Sequence, residues 1–167
     1  VITSRDPGAP PVDYIKRSGG IFRDMTIHDF DMARWMLGEE VVEVFATGSV
    51  LVDKAIGEAG DIDSAMIILK TASGRMAHIN NSRRAAYGYD QRVEVHGSAG
   101  RLIAGNRVAT TVEQADAATV STDLPLHFFL ERYADAYRAE LAAFHADAGG
   151  MGAVDEAADA LRPFGYY

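Results

Sequence analysis

The 167 residues fit one domain of ordinary size, long enough to bury a real core. Hydrophobic residues make up 48%, charged residues 24%, and the net charge is −8, so neither nucleic acid nor an anionic membrane surface is expected as a partner. There is no cysteine, which excludes disulfides, thiol nucleophiles and thiolate metal sites; a cytoplasmic setting is the compatible expectation. No apolar run approaches the ~20 residues of a membrane span, and no signal peptide is read. The chain begins at Val1 rather than Met and reads as a piece of something longer.

Residues 1–20 read as an irregular lead-in, because Pro7, Gly8, Pro10 and Pro11 break helix and central strand alike; Tyr14 and Ile15 open a short element. Residues 25–37 are predicted as a helix, with Asp24 near its N-terminus and Gly38 as its C-terminal cap. From Val41 the period becomes that of strands. Strands are expected from Val41, over 64–69, 75–82, 91–96, 101–104 and 107–112, joined by tight turns such as Thr71-Ala72-Ser73-Gly74. Strands joined so tightly must be antiparallel. Residues 115–122 read as a polar loop. Residues 127–146 read as an amphipathic helix whose Tyr133, Tyr137 and Phe144 stripe suits a core, and 154–161 as a last short helix. The order indicates an α+β domain: a mainly antiparallel open sheet with helices on one face.

The Gly clusters, among them Gly19-Gly20 and Gly149-Gly150, do not form a dinucleotide fingerprint after a strand, and no phosphate-binding lysine loop occurs. The informative stretch is the predicted helix. Asp24, His28 and Asp31 are spaced four and three apart, so they share a face. A carboxylate beside an imidazole orients the ring and favours its charged form, which suits proton transfer to or from a hydroxyl. On spacing alone a merely solvated face is the default. A metal site is a second reading, though no further ligand pair stands out and no metal is expected. His78 and His96 read as sheet histidines. Asn80, Asn81, Arg83 and Arg84 read as a solvated strand end, with binding of hydroxyls as the alternative.

The run SGGIFRDMTIHDFDMARWMLG resembles the active-site helix of the Gfo/Idh/MocA oxidoreductases, most closely their inositol 2-dehydrogenase branch. The likeness continues through GDIDSAMIILKTASGRMAHINNSRRAAYGYDQRVEVHGSAG. It implies that the whole chain is a C-terminal substrate-binding and oligomerisation domain, without the N-terminal domain that binds the dinucleotide. It implies Asp24 and His28 as catalytic residues, and Asp31, Tyr87 and Tyr89 as substrate-binding residues. NAD or NADP would be the cofactor, held mainly by the missing half, which would also bring a catalytic lysine. The implied reaction is oxidation of a ring hydroxyl of a cyclic polyol or sugar, such as myo-inositol to 2-keto-myo-inositol. A homo-oligomer, dimer or tetramer, is implied through the sheet. The alternative is a sugar-binding or oligomerisation module without turnover.

Overall fold

The computed structural model describes residues 1–147. Its centre is a six-stranded sheet of order β2-β3-β4-β1-β5-β6. The strands are β1 Ile2–Arg5, β2 Val41–Ser49, β3 Ser64–Thr71, β4 Met76–Ser82, β5 Asp90–Gly97 and β6 Gly100–Ala104. Every pairing is antiparallel except that of β1 with β4. The helices are α1 Val12–Ser18, α2 Ile27–Leu37, α3 Lys54–Glu58, α4 Phe129–Arg132 and α5 Ala134–Asp147, and a π-helical turn at Phe22–Thr26 leads into α2. Among the described residues no helix is long and apolar enough to cross a membrane.

The alternation of β3 builds the core. Ala65, Ile67, Leu69 and Thr71 are buried on one face, while Met66 and Ile68 are exposed on the other. Register carries the buried row across the sheet: Ile67 stands opposite Ile79, Ile79 beside Ile2, and Ile2 opposite Val93. Ile21, Met25 and Ala33 close over that row from the helical side. α2 thus lies across β1 and β4 on one face of the sheet. Gly38 ends it in the left-handed conformation (φ 64°), its N–H donating to the Arg34 carbonyl, as the sequence predicts.

Four expectations need correction. Residues 1–20 are not all irregular, since β1 occupies the middle of the sheet. Residues 107–112 make only an isolated bridge, Val108 to Pro125, and a small hairpin instead pairs Glu113–Ala115 with Val120–Thr122, its second strand inside the expected loop. The long helix is broken at Tyr133, whose backbone leaves the helical region (φ −107°, ψ 13°). Its stripe is not core: Tyr137, Leu141 and Phe144 are exposed, because the helix does not lie over the buried face of the sheet. The expected helix at 154–161 lies outside the described residues.

Asp63 holds the connection from β2 to β3. Fully buried, it accepts the backbone N–H groups of Leu51 (2.8 Å), Val52 (2.8 Å) and Asp53 (3.0 Å) and the Ser64 hydroxyl (3.0 Å). Burial alone would push its carboxyl up; the backbone donors outweigh burial and hold it below the ordinary carboxylate range. Asp63→Ala strands those donors and should cost about 2–4 kcal/mol in urea denaturation followed by circular dichroism. A loss below about 0.5 kcal/mol would contradict this role.

Candidate active site

The N-terminal half of α2, the end of β1, α1 and the α4–α5 segment enclose a cleft of about 1310 Å³. Asp24, His28 and Asp31 all line it, so the predicted stripe exists in three dimensions. The face is broader than that stripe, because Met25, Asp29 and Met32 line the cleft too. The π-helical turn sets where the stripe begins: the Thr26 hydroxyl donates five residues back to the Ile21 carbonyl (3.3 Å). Such wide turns are frequent at functional sites.

Asp24 is held at both oxygens. The Tyr14 phenol donates to Oδ1 (2.6 Å) and Arg83 Nη1 donates to Oδ2 (2.8 Å). Hydrogen bonding to Asp24, and then its charge, raise the Tyr14 phenol above its ordinary value. His28 is exposed on the cleft wall and has no hydrogen-bond partner among the described residues; its charge reaches Asp29. Asp31 is exposed farther along the face. Asp29 points inward, where Oδ1 accepts from the Ser4 hydroxyl (2.6 Å) and Oδ2 from the Asn81 amide (2.6 Å). Burial raises its carboxyl, and these two donors together with the His28 charge oppose that rise.

The two tyrosines separate. Gly88 has φ +123°, and a Cβ there would meet the Pro125 carbonyl oxygen at 2.9 Å, so only glycine fits. Tyr89, on one side of it, lines the cleft in edge contact with Phe128 (5.6 Å) and Tyr133 (6.1 Å). Burial raises its phenol above the ordinary value. Tyr87, on the other side, is not among the cleft-lining residues. Its phenol donates to Asp90 Oδ2 (2.5 Å) and accepts from Arg5 Nη1 (3.0 Å). Trp35 is half-exposed beyond the cleft.

Sequence reasoning missed Asp6, Tyr14 and Asp29, and placed Arg83 at a solvated strand end. Asp6 and Tyr14 were hidden by the proline-rich surroundings. Asn81 and Arg83 carried a usable signal, since they continue the period-two row of Ile79 and so fall on its buried face. The solvated strand end expected there is corrected: Asn81 and Arg83 are buried, and only Arg84 of that pair of arginines is exposed. The cleft also carries Glu140, so five carboxylates face one guanidinium and one imidazole. Such a wall repels a pyrophosphate but accommodates a neutral polyol or the cationic ring of an oxidised nicotinamide. The donor set therefore fits the reacting end of the dinucleotide and not its phosphates.

Asp6 gives this acidic field a measurable consequence. Burial, reinforced by Asp24 and Asp29 and opposed by Arg83, lifts its carboxyl from the ordinary 3.8 to about 6. Between those values the native chain keeps a proton that the unfolded chain has released. The resulting stability is complete below about pH 4 and lost as the pH rises through about 6. Asp6→Asn should therefore match the original chain at pH 4 and exceed it at pH 8, by up to about 3 kcal/mol, in urea denaturation. Equal differences at the two pH values would refute the assignment.

The family model for the GFO/IDH/MocA C-terminal domain matches residues 2–103. An inositol 2-dehydrogenase of Rhizobium meliloti (strain 1021) is 65% identical over 144 residues, which are 86% of this chain and 43% of that protein. The crystal structure of a myo-inositol dehydrogenase from Corynebacterium glutamicum superposes with a TM-score of 0.83 at 49% identity, covering 87% of this chain and 44% of that one. That of scyllo-inositol dehydrogenase from Lactobacillus casei, with bound cofactor NAD(H) and scyllo-inositol, gives a TM-score of 0.77 at 28% identity, covering 98% and 52%. The chain spans less than half the length of that Rhizobium relative. By sequence and by fold, it belongs to the GFO/IDH/MocA family, whose C-terminal domain it carries.

Proposed function

We propose that this chain is the substrate-binding and oligomerisation domain of an NAD(P)-dependent dehydrogenase that oxidises a ring hydroxyl of a cyclic polyol, myo-inositol to 2-keto-myo-inositol. The N-terminal dinucleotide-binding domain lies outside this chain. One observation carries the reading: Asp24 and His28 meet in one acidic cleft, in a chain 65% identical to an inositol 2-dehydrogenase. When bound, the nicotinamide supplies the hydride acceptor. The chain's own part is to handle a proton and to hold hydroxyls. His28, exposed to the cleft, takes the proton of the reacting hydroxyl as general base. Asp24, held from two sides, supplies the fixed negative charge on the same wall. Asp31 accepts from a neighbouring hydroxyl, and Tyr89 offers a phenol that both donates and accepts. Because Tyr87 is engaged by Arg5 and Asp90, the substrate role expected for the tyrosine pair rests on Tyr89. A hydroxyl missing or inverted on the ring leaves one of these groups unpaired, which is how the site discriminates near-isomers.

The assembly reading rests on the other face of the sheet. Phe45, Met66, Ile68 and Met76 lie there at 64%, 54%, 48% and 70% exposure, on neighbouring strands in register. Exposed apolar side chains so grouped ask for a cover, and a second copy related by a two-fold axis provides one.

Two measurements test these assignments. In the full-length parent, His28→Ala should lower kcat by about 10²–10⁴-fold while thermal unfolding barely changes. Near-normal turnover across the pH range would remove His28 from the mechanism. The 167-residue chain itself should scatter light as a dimer or larger at micromolar concentration, and Ile68→Lys should shift it to monomer. A monomer before substitution would dismiss the sheet interface.

A further inference from the structure

We propose that Arg83 is a positioning residue for the reaction: its guanidinium, seated between Asp24 and Asp61, fixes where the Asp24 carboxylate sits in the cleft. The proposal rests on the dehydrogenase reading above. Arg83 follows β4, and its backbone N–H donates to the Asp63 carbonyl (2.8 Å), which sets the start of its side chain. The side chain is 1% exposed. A guanidinium does not shed its charge on burial, so it is retained inside only where carboxylates offset the loss of water. Two stand close: Asp24 Oδ2 at 2.8 Å from Nη1, and Asp61 Oδ2 at 3.8 Å from Nη2.

These two contacts are unequal. Asp61 is already committed, because its Oδ1 accepts the Ile21 N–H (3.1 Å) at the entrance to the π-helical turn. Its Oδ2, and Arg83 Nε and Nη2, are buried without a hydrogen-bond partner among the described residues. Among the described residues, the side chain's one hydrogen bond therefore goes to Asp24. Asp61 balances the charge and backs the guanidinium, and Asp24 receives its direction. Tyr14 grips the other Asp24 oxygen from the exposed side of the site, so the buried arginine is the firmer of the two anchors. A planar fork between two carboxylates is something lysine cannot reproduce, since its ammonium is a single point of charge. If Arg83 served only to tie the 61–63 segment to the helix, its removal would lower stability and leave the chemistry of the folded enzyme alone. A positioning role changes the chemical step and does so through Asp24.

The test uses the full-length parent with myo-inositol and NAD, comparing Arg83→Gln, Arg83→Lys, Asp24→Asn and the double variant Asp24→Asn/Arg83→Gln. Arg83→Gln should lower kcat about 10–100-fold, the scale of a displaced catalytic group, with both KM values within about threefold. The deuterium isotope effect with inositol labelled at the reacting carbon should rise, because hydride transfer becomes slower relative to product release. Arg83→Lys should fall between. Adding Arg83→Gln to Asp24→Asn should cost no more than about threefold further, since the two act as one unit. Losses that multiply in the double variant, or a folded Arg83→Gln enzyme within about twofold of the original kcat, would overturn the proposal. Should Arg83→Gln fail to fold by circular dichroism, Arg83→Lys carries the same cycle against Asp24→Asn. A parent that oxidises no inositol before any substitution brings down the dehydrogenase reading itself, a result separate from any comparison among variants.

Discussion

Asp29 fastens the helix to the sheet, and the site follows from that attachment. Its two oxygens take donors from two neighbouring strands, Ser4 on β1 and Asn81 on β4, at 2.6 Å each. The Asn81 carbonyl oxygen in turn accepts from Thr26 (2.7 Å), at the end of the π-helical turn. A buried carboxylate is tolerated only when fully hydrogen-bonded, so this arrangement has little freedom. With Asp29 turned inward, each residue of α2 is set by about 100° of rotation from its neighbour. His28 and Asp31 are then carried to the cleft side, and Asp24 follows one turn earlier. The residue that fixes the cleft-facing side of α2 is thus not itself one of the predicted site residues.

The same packing explains the electrostatics of the cleft. Asp6, Asp24 and Asp29 come from the residue after β1, the π-helical turn and α2, and lie close enough for Asp24 and Asp29 to act on Asp6. Among the described residues that line the cleft, Arg83 alone brings permanent positive charge. Burial does most to lift Asp6 to about 6, and the neighbouring Asp24 and Asp29 charges add to it against the pull of Arg83. A neutral, hydroxyl-rich ring meets such a wall without a charge penalty and finds acceptors at many angles.

Much of the fold was legible because its signals are local. The turns at Thr71–Gly74 and Gly97–Gly100, the alternation of β3 and the Gly38 cap each show within a few residues. The stripe of Asp24, His28 and Asp31 was legible for the same reason, as helical spacing alone groups them. What stayed hidden depends on contacts between distant segments. β1 is four residues long and ends against Asp6-Pro7, so nothing local marks it as central. Asp29 looks like one more polar residue until Ser4 and Asn81 are brought to it from 25 and 52 positions away. The Tyr133, Tyr137 and Phe144 stripe has the right period for a core, but period says only that one face is apolar and not what covers it.

The placement of β1 has a consequence for how the chain assembles. β2, β3 and β4 form one antiparallel unit from neighbouring segments, and β5 with β6 forms a hairpin. Among the described residues, β1 alone joins the two units in the sheet, parallel to β4 on one edge and antiparallel to β5 on the other. Those pairings bring Ile2 beside Ile79 and Val93, so they close long loops, while the hairpins close short ones. The local units close short loops; insertion of β1 between them carries the larger loop-closure entropy. Asp6 and the segment leading to Tyr14 arrive with that strand, and Ser4 on it completes the grip on Asp29. The cleft wall is therefore assembled in the same event that joins the halves of the sheet, and no intermediate lacking β1 can display it.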